Sequence, residues 1–371
     1  MTTTYRRSAA FNDLAALLTG QLFLPQDADY EQVRQLFNGR VKTQPAAIAR
    51  CLTVQDVIHT VRWTRSQGLP LSVRAGGHDT AGRALSEGVV IDLSRMRTVT
   101  VDPDQRTAHV QAGTTISDLI EATTQYGLVT STGTCSAVGM AGFTLGGGYS
   151  ELTGAYGLGI DNLLSAQVVT ADGQLVTANA EEHPDLLWGL RGGGGNFGVV
   201  VSLEYRLHPL TTVLSGLLLY SLGEAKTVLR RLNDFMATIP DELTILSGFI
   251  QMPDGATVLF LLPLYCGDAA GEQVIAPLRT FGTVLVDQVR SMTYREFIHQ
   301  WDANAPKGRY YHAKTQSIKG FQPEIIDTLI EQGLPFSSPL FVHRAPSLSW
   351  SREPRRCVGN CFCTAAGSSN G

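Results

Sequence analysis

"VRAGGHDTAG", Val73 to Gly82, sets a glycine pair and a histidine directly after an apolar run. Glycine has no Cβ, so Gly76 and Gly77 let the backbone approach another group closely or turn through positive φ. A neutral imidazole is both titratable near neutrality and nucleophilic. Taken by itself the stretch reads as a surface turn with an incidental histidine, because a short glycine-rich match is weak evidence. Its meaning depends on its surroundings.

Upstream, Ala46 to Ile48 are extended by pattern, and Thr53 can cap a helix carrying Val54, Val57, Ile58 and Val61. Gly68 ends that helix and "LPLSV" forms the next strand, so a βαβ unit delivers the chain to His78. Downstream, "GVVIDL", "RTVTVD" and "TAHVQAG" read as strands, with a turn at Asp102-Pro103-Asp104. A helix from about Thr115 to Tyr126 follows. Beyond residue 210 the glycine-dense character stops. Strand-like runs ("LSGLLLYSL", "TVLFLLPLY") then alternate with helical ones such as "GEAKTVLRRLNDFMATI", which predicts a second α+β domain.

The 371 residues suffice for about two domains, and 43% hydrophobic with 17% charged residues fits a soluble globular protein. A net charge of −4 leaves no electrostatic footprint for nucleic acid or an anionic membrane. No apolar run reaches the roughly 18 residues of a membrane span. Phe11, Leu14, Leu17 and Leu18 form one face of an amphipathic helix, so a cleavable signal is not expected and a cytoplasmic location is. Cys51, Cys135 and Cys266 are too scattered for a disulfide framework, while Cys357, Cys361 and Cys363 cluster without the paired spacing of a zinc site. No metal is expected.

Two further glycine-rich stretches accompany the first: "GTCSAVGMAGFTLGGGYS", Gly133 to Ser150, and "LRGGGGNFGVV", Leu190 to Val200. Backbone N–H groups in such loops can cradle a diphosphate. Neither has the Gly-Lys-Ser/Thr of a Walker loop or a G-x-G-x-x-G turn opening a helix. A single loop of this kind would more simply be a packing turn; several in one half of a chain favour a nucleotide cofactor.

"RAGGHD" (74–79), "GTCSAVGMAGFTLGGG" (133–148), "YGLGIDN" (156–162), "VVTADG" (168–173) and "LWGLRGGGGNFGVV" (187–200) occur in that order. Together they resemble the berberine-bridge-enzyme-like branch of the FAD-linked oxidases, whose flavin domain is of the p-cresol methylhydroxylase type. The resemblance is dense over 45–210 and looser to about 340. It implies an α+β fold: a two-subdomain FAD-binding domain over 1–210, then a partial substrate domain with an antiparallel sheet over 211–340. It also implies a small-molecule substrate (an alcohol, sugar, alkaloid or other secondary metabolite), hydride transfer to FAD, and dioxygen as acceptor giving hydrogen peroxide. The alternatives are a dehydrogenase with another acceptor and an FAD-binding chain without turnover.

By the same resemblance His78 bonds covalently to the flavin 8α-methyl carbon, and Cys135 takes the place of a second bond to flavin C6. Arg74, Ala75, Gly76, Gly77 and Asp79 are expected to line the cofactor with Gly139, Met140, Ala141 and Gly142. Asn196, Gly198, Val199 and Val200 are expected beside its nucleotide half. Relatives often have "GGGxG" where this chain has Tyr149 and Ser150 after Gly148, a departure that could reshape the turn. Tyr311, His312 and Lys314 fall where relatives place substrate-pocket residues, and Tyr311 and Lys314 are the candidate bases. Relatives run on past 371 and draw the base from that later segment. The stretch from 341 to 371 has no sustained period of 2 or 3.6 and is expected to be an aberrant tail.

Overall fold

The computed structural model describes residues 11–300, 302–304, 306–318, 320–332, 342–347 and 360–367. Two compact units divide the chain. One comprises residues 1–149, 158–209 and 305–308; the other comprises 150–157, 210–304 and 309–371.

The first unit opens on strands β1 (Gln21–Phe23), β2 (Ala47–Arg50), β3 (Leu71–Arg74) and β4 (Val89–Asp92), in the order β1-β2-β4-β3. β2, β4 and β3 are parallel, and β1 closes one edge antiparallel to β2. Parallel strands are covered on both faces and become continuous apolar runs; Ala47, Ile48 and Ala49 with Val89, Val90 and Ile91 are wholly buried. The crossover from β2 to β3 is the helix Val54–Ser66. Thr53 starts it with a reciprocal cap, accepting from Asp56 N while the Asp56 carboxylate accepts from Thr53 N. Gly68, at φ +62°, turns the chain out of it. The βαβ unit is present, but β4 inserts between its two strands.

A second sheet is antiparallel: β5 (Val99–Asp102), β6 (Thr107–Gln111), β8 (Leu163–Val169), β9 (Leu175–Ala178) and β10 (Val199–Arg206), ordered β5-β6-β10-β8-β9. The short strands β7 (Leu128–Val129) and β11 (His208–Pro209) pair as a separate ribbon. The helix expected from Thr115 is Ile116–Thr123, capped reciprocally by Thr115 and Asp118, with a 3-10 turn to Tyr126.

The second unit is one mostly antiparallel sheet. Its strands are β12 (Thr212–Ser215), β13 (Leu218–Ser221), β14 (Leu243–Gln251), β15 (Thr257–Tyr265), β16 (Val284–Asp287), β17 (Arg290–Thr293), β18 (Tyr310–Ser317), β19 (Val342–Ser347) and β20 (Asn360–Gly367). The main order is β16-β13-β15-β14-β19-β20-β18, with β12 pairing β15 and β17. The helices Ala225–Phe235 and Pro323–Gln332 share the core of this unit, where Val228, Leu229, Leu232 and Ile326 join Leu259 and Leu261. The segment beyond 340, which lacks sequence period, supplies strands β19 and β20; Cys361 and Cys363 lie on β20, and Cys357 lies outside the described residues. Among the described residues no helix is long and apolar enough to cross a membrane, and no group of His, Cys, Asp or Glu could hold a metal.

Candidate flavin site

The end of β3 and the loop after it form one wall of a cleft of about 520 Å³ in the first unit. That volume falls in the ordinary range for small-molecule sites. Arg74, Ala75, Gly76, Gly77 and His78 line it, together with Phe37. The wall is fixed from several sides. Phe37 N donates to the Gly77 carbonyl at 2.9 Å, and Asn38 Nδ2 donates to the Thr80 carbonyl at 2.8 Å. Gly77 turns at φ +69°, and Asp79 spends its carboxylate on Ala81 N and Ala84 N, both at 3.1 Å.

Gly76 is where glycine is indispensable. A Cβ there would meet Gly139 N at 2.5 Å and Gly139 Cα at 2.6 Å. The histidine loop therefore lies directly on the loop that carries Cys135. That second loop is laced in turn to the start of the helix Ile116–Thr123. Ile116 N donates to Val138 O, Ser117 N to Ser136 O and Met140 N to Thr114 O, all at 2.9 Å. The close approach at Gly76 is backbone against backbone, whereas Gly77 faces the Arg74 side chain.

This double anchoring brings the two candidate attachment residues together. His78 Nε2 lies 3.5 Å from Cys135 Sγ. The imidazole stacks on the Phe37 ring, with centroids 3.7 Å apart and planes 19° from parallel. Burial lowers the His78 pKa from its ordinary value, which keeps the ring neutral at pH 7. Cys135 is half-buried, unlike Cys51 and Cys266. Both are buried, and desolvation pushes each thiol up to about 12, leaving little thiolate.

Arg74 lines the cleft and also braces its wall. Its guanidinium is buried and engaged: Nε donates to Asp92 Oδ1 at 3.2 Å, and Nη1 donates to the Val33 carbonyl. Arg50 Nε reaches the same carboxylate at 3.0 Å. Burial opposes ionisation of Asp92, but the Arg74 charge and the bonds from Arg74 and Ser94 hold its pKa below the carboxylate range.

The remaining candidates are dispersed. Met140 and Ala141 begin the helix Met140–Leu145 and are buried, whereas Gly142 is exposed. Asn196 Nδ2 donates to Gly193 O at 2.6 Å. Gly198 turns at φ +144°, where a Cβ would meet Val169 O at 2.6 Å, and Val199 and Val200 continue into β10. None of these lines the cleft. Gly147 and Gly148 have positive φ, but Ser150 does not; its hydroxyl accepts from Leu152 N at 3.0 Å. The serine therefore stands where no glycine is required. Tyr311 and His312 are neighbours on β18 and so face opposite sides of the sheet. The Lys314 side chain lies outside the described residues.

Lys307 was not legible from sequence. The segment 305–308 belongs to the first unit, and Gly308 N donates to the Phe37 carbonyl at 2.8 Å. Lys307 thereby lines the same cleft as His78. Only the tertiary return of the chain reveals it.

The residues present suit a flavin dinucleotide: a neutral imidazole and a thiol at one point, glycine-built walls, and cations at the cleft. Residues 45–179 match the FAD-binding domain model. The chain is 33% identical over 287 residues to (R)-6-hydroxynicotine oxidase of Paenarthrobacter nicotinovorans, covering 76% of this chain and 62% of that protein. It is 33% identical over 284 residues to the FAD-linked oxidoreductase aurO of Gibberella zeae, covering 75% of this chain and 55% of the relative. The chain thus spans less than two thirds of the length of these relatives. Among solved structures, 6-hydroxy-D-nicotine oxidase from Arthrobacter nicotinovorans superimposes with a TM-score of 0.87 at 27% identity, over 95% of this chain and 82% of that one. A chitooligosaccharide oxidase shares the fold, with a TM-score of 0.85 at 23% identity over 98% and 83% of the two chains. The first unit thus carries an FAD-binding domain over residues 45–179, and the chain is similar to FAD-linked oxidoreductases over most of its length.

Proposed function

We propose that the protein is a flavin-dependent oxidase whose FAD is held covalently by His78 and Cys135. The observation that carries this reading is the 3.5 Å approach of His78 Nε2 to Cys135 Sγ across two loops that touch at Gly76 and Gly139. The neutral His78 ring has a nitrogen lone pair for bond formation, and stacking on Phe37 limits its orientation. Each attachment removes two electrons and two protons overall. His78 would give up its imidazole N–H proton or Cys135 its thiol proton, the other proton would come from the flavin carbon, and dioxygen would accept the electrons.

A bound FAD would supply hydride acceptance from a substrate C–H, with dioxygen taking the electrons to give hydrogen peroxide. The substrate class we infer is a small alcohol, sugar, alkaloid or related secondary metabolite. The relative named for 6-hydroxynicotine supports the alkaloid member of that set. Tyr311 and Lys314 are the candidates for removing the O–H or N–H proton, since hydride loss requires a base within hydrogen-bond reach.

The test is a spectrum and an intact mass of acid-precipitated protein from flavin-replete cells. Yellow colour and a mass increase of one FAD are expected. Protein that binds FAD when native but releases all of it on denaturation would overturn the covalent assignment. Peroxide release with alcohols, sugars and alkaloids tests turnover. Electron transfer to a dye with none to dioxygen would instead identify a dehydrogenase.

A further inference from the structure

Lys307 is the cleft residue to which covalent attachment gives no task. Its segment lies flat against residues 37–39: Gly308 N bonds the Phe37 carbonyl, and a Cβ on Gly39 would meet the Gly308 carbonyl oxygen at 2.0 Å. That packing sets a lysine at the rim of the wall formed by Arg74, Gly76, Gly77 and His78. Local charges do not cancel around it. Arg50 and Arg74 share the single carboxylate of Asp92, and Asp29 is the acidic residue lining the cleft. Among the described residues Lys307 has no carboxylate partner. Partial desolvation by the walls, and then the charge of Arg74, lower its pKa against a smaller opposing pull from Asp92, and an anion would offset the repulsion from Arg74.

We propose that Lys307 binds the diphosphate of FAD, supplying the mobile cation of the cleft while Arg74 stays committed to Asp92. The proposal rests on the FAD reading. FAD carries its formal negative charge on the diphosphate, whereas the oxidised ring is neutral. A lysine ammonium is a compact point charge on a flexible stem, suited to phosphate oxygens rather than to a fixed planar partner. Lys307 is a binding residue in this view and takes no part in attachment at His78.

The experiment uses the full chain with His78→Ala and Cys135→Ala, so that flavin dissociates and affinity is measurable. Kd for FAD and for riboflavin is read from flavin fluorescence in this parent, with Lys307→Gln and with Lys307→Arg. Lys307→Gln should weaken FAD about tenfold, as loss of one charge-assisted contact does, and leave riboflavin unchanged. Lys307→Arg should restore most of the affinity. If riboflavin binds too weakly to measure, the salt dependence of FAD binding decides, and it should flatten in Lys307→Gln alone. An unchanged FAD Kd, an equal loss for both flavins, or an unaltered salt dependence would overturn the proposal. A folded parent that binds no FAD overturns the flavin reading as well. A parent that binds FAD and is indifferent to Lys307→Gln overturns the lysine assignment alone.

Discussion

Gly76 and Gly139 touch through their backbones, each occupying the space where the other's Cβ would stand. A Cβ on Gly139 would meet Gly76 N at 2.5 Å, and the reverse contact is equally short. Backbone cannot swing aside as a side chain can, so Gly76→Ala must separate the histidine loop from the cysteine loop. A cost of about 1–3 kcal/mol is expected, as for overpacking in a filled core. Gly77→Ala acts differently, through its φ of +69°, at about 1–2 kcal/mol. Thermal melts should show both losses. Flavin content after denaturation should fall further in Gly76→Ala, because that variant moves His78 relative to Cys135. Equal flavin retention in the two would contradict this view of the junction.

The pairing of His78 with Cys135 predicts separable attachments. Cys135→Ala should keep flavin through His78 yet shift its absorption spectrum, since substitution at C6 perturbs the ring. His78→Ala should keep a fraction through the thiol, with the complementary spectrum. Peptide mapping that finds Cys135 unmodified in fully loaded protein would remove the thiol from the assignment and leave His78 in place.

Burial lowers the His78 pKa, and the sign of its linkage follows. Above the unfolded value of about 6.5 the ring is neutral in both states and contributes no pH dependence. As pH falls through that value the unfolded chain takes up a proton that the folded chain resists. Stability of the flavin-free protein should therefore decline between about pH 6.5 and the lower folded pKa, then level off. His208, also shifted down by burial and then by Arg206, contributes in the same direction. Urea melts across this range should show a shallower slope in His78→Gln. In the same window the rate of covalent loading should hold its neutral-pH value to below pH 6.5, because the nucleophilic form persists.

Much of this architecture is written locally. The reciprocal caps at Thr53 and Thr115 each need only an acid three residues later, and both helices start where those signals stand. The loop glycines are legible for the same reason, since a positive φ or a close approach leaves glycine as the simplest solution. Which backbone Gly76 approaches is not local, and neither is the insertion of β4 between β2 and β3. The motif around Arg74 marks an arginine but gives no sign that Asp92 and the Val33 carbonyl occupy it. Lys307 lies in the looser part of the resemblance, flanked by Pro306 and Gly308, and only the bond from Gly308 to Phe37 returns it to the cleft. Strands β19 and β20 carry no period of their own, and their pairing with β14 and β18 comes from the sheet they join.

Asp92 offers the sharpest test of how the histidine wall is held. It is fully buried at the end of β4, faces two arginines and also accepts from Ser94 N at 3.0 Å. Asp92→Asn keeps the shape but removes the charge, leaving a buried guanidinium at Arg74 without its counter-ion. Breaking a buried pair from one side costs about 3–5 kcal/mol, more than the pair contributes in net terms, because the surviving charge stays desolvated. Arg50→Gln, at the more exposed end, should cost well under half as much. Arg74→Met should cost less than Asp92→Asn, since Arg50 remains to balance the carboxylate while the apolar stem fills the same space. The order expected in urea melts is Asp92→Asn, then Arg74→Met, then Arg50→Gln. If Arg50→Gln proved the most damaging of the three, the wall would be held from β2 rather than from the Arg74–Asp92 pair.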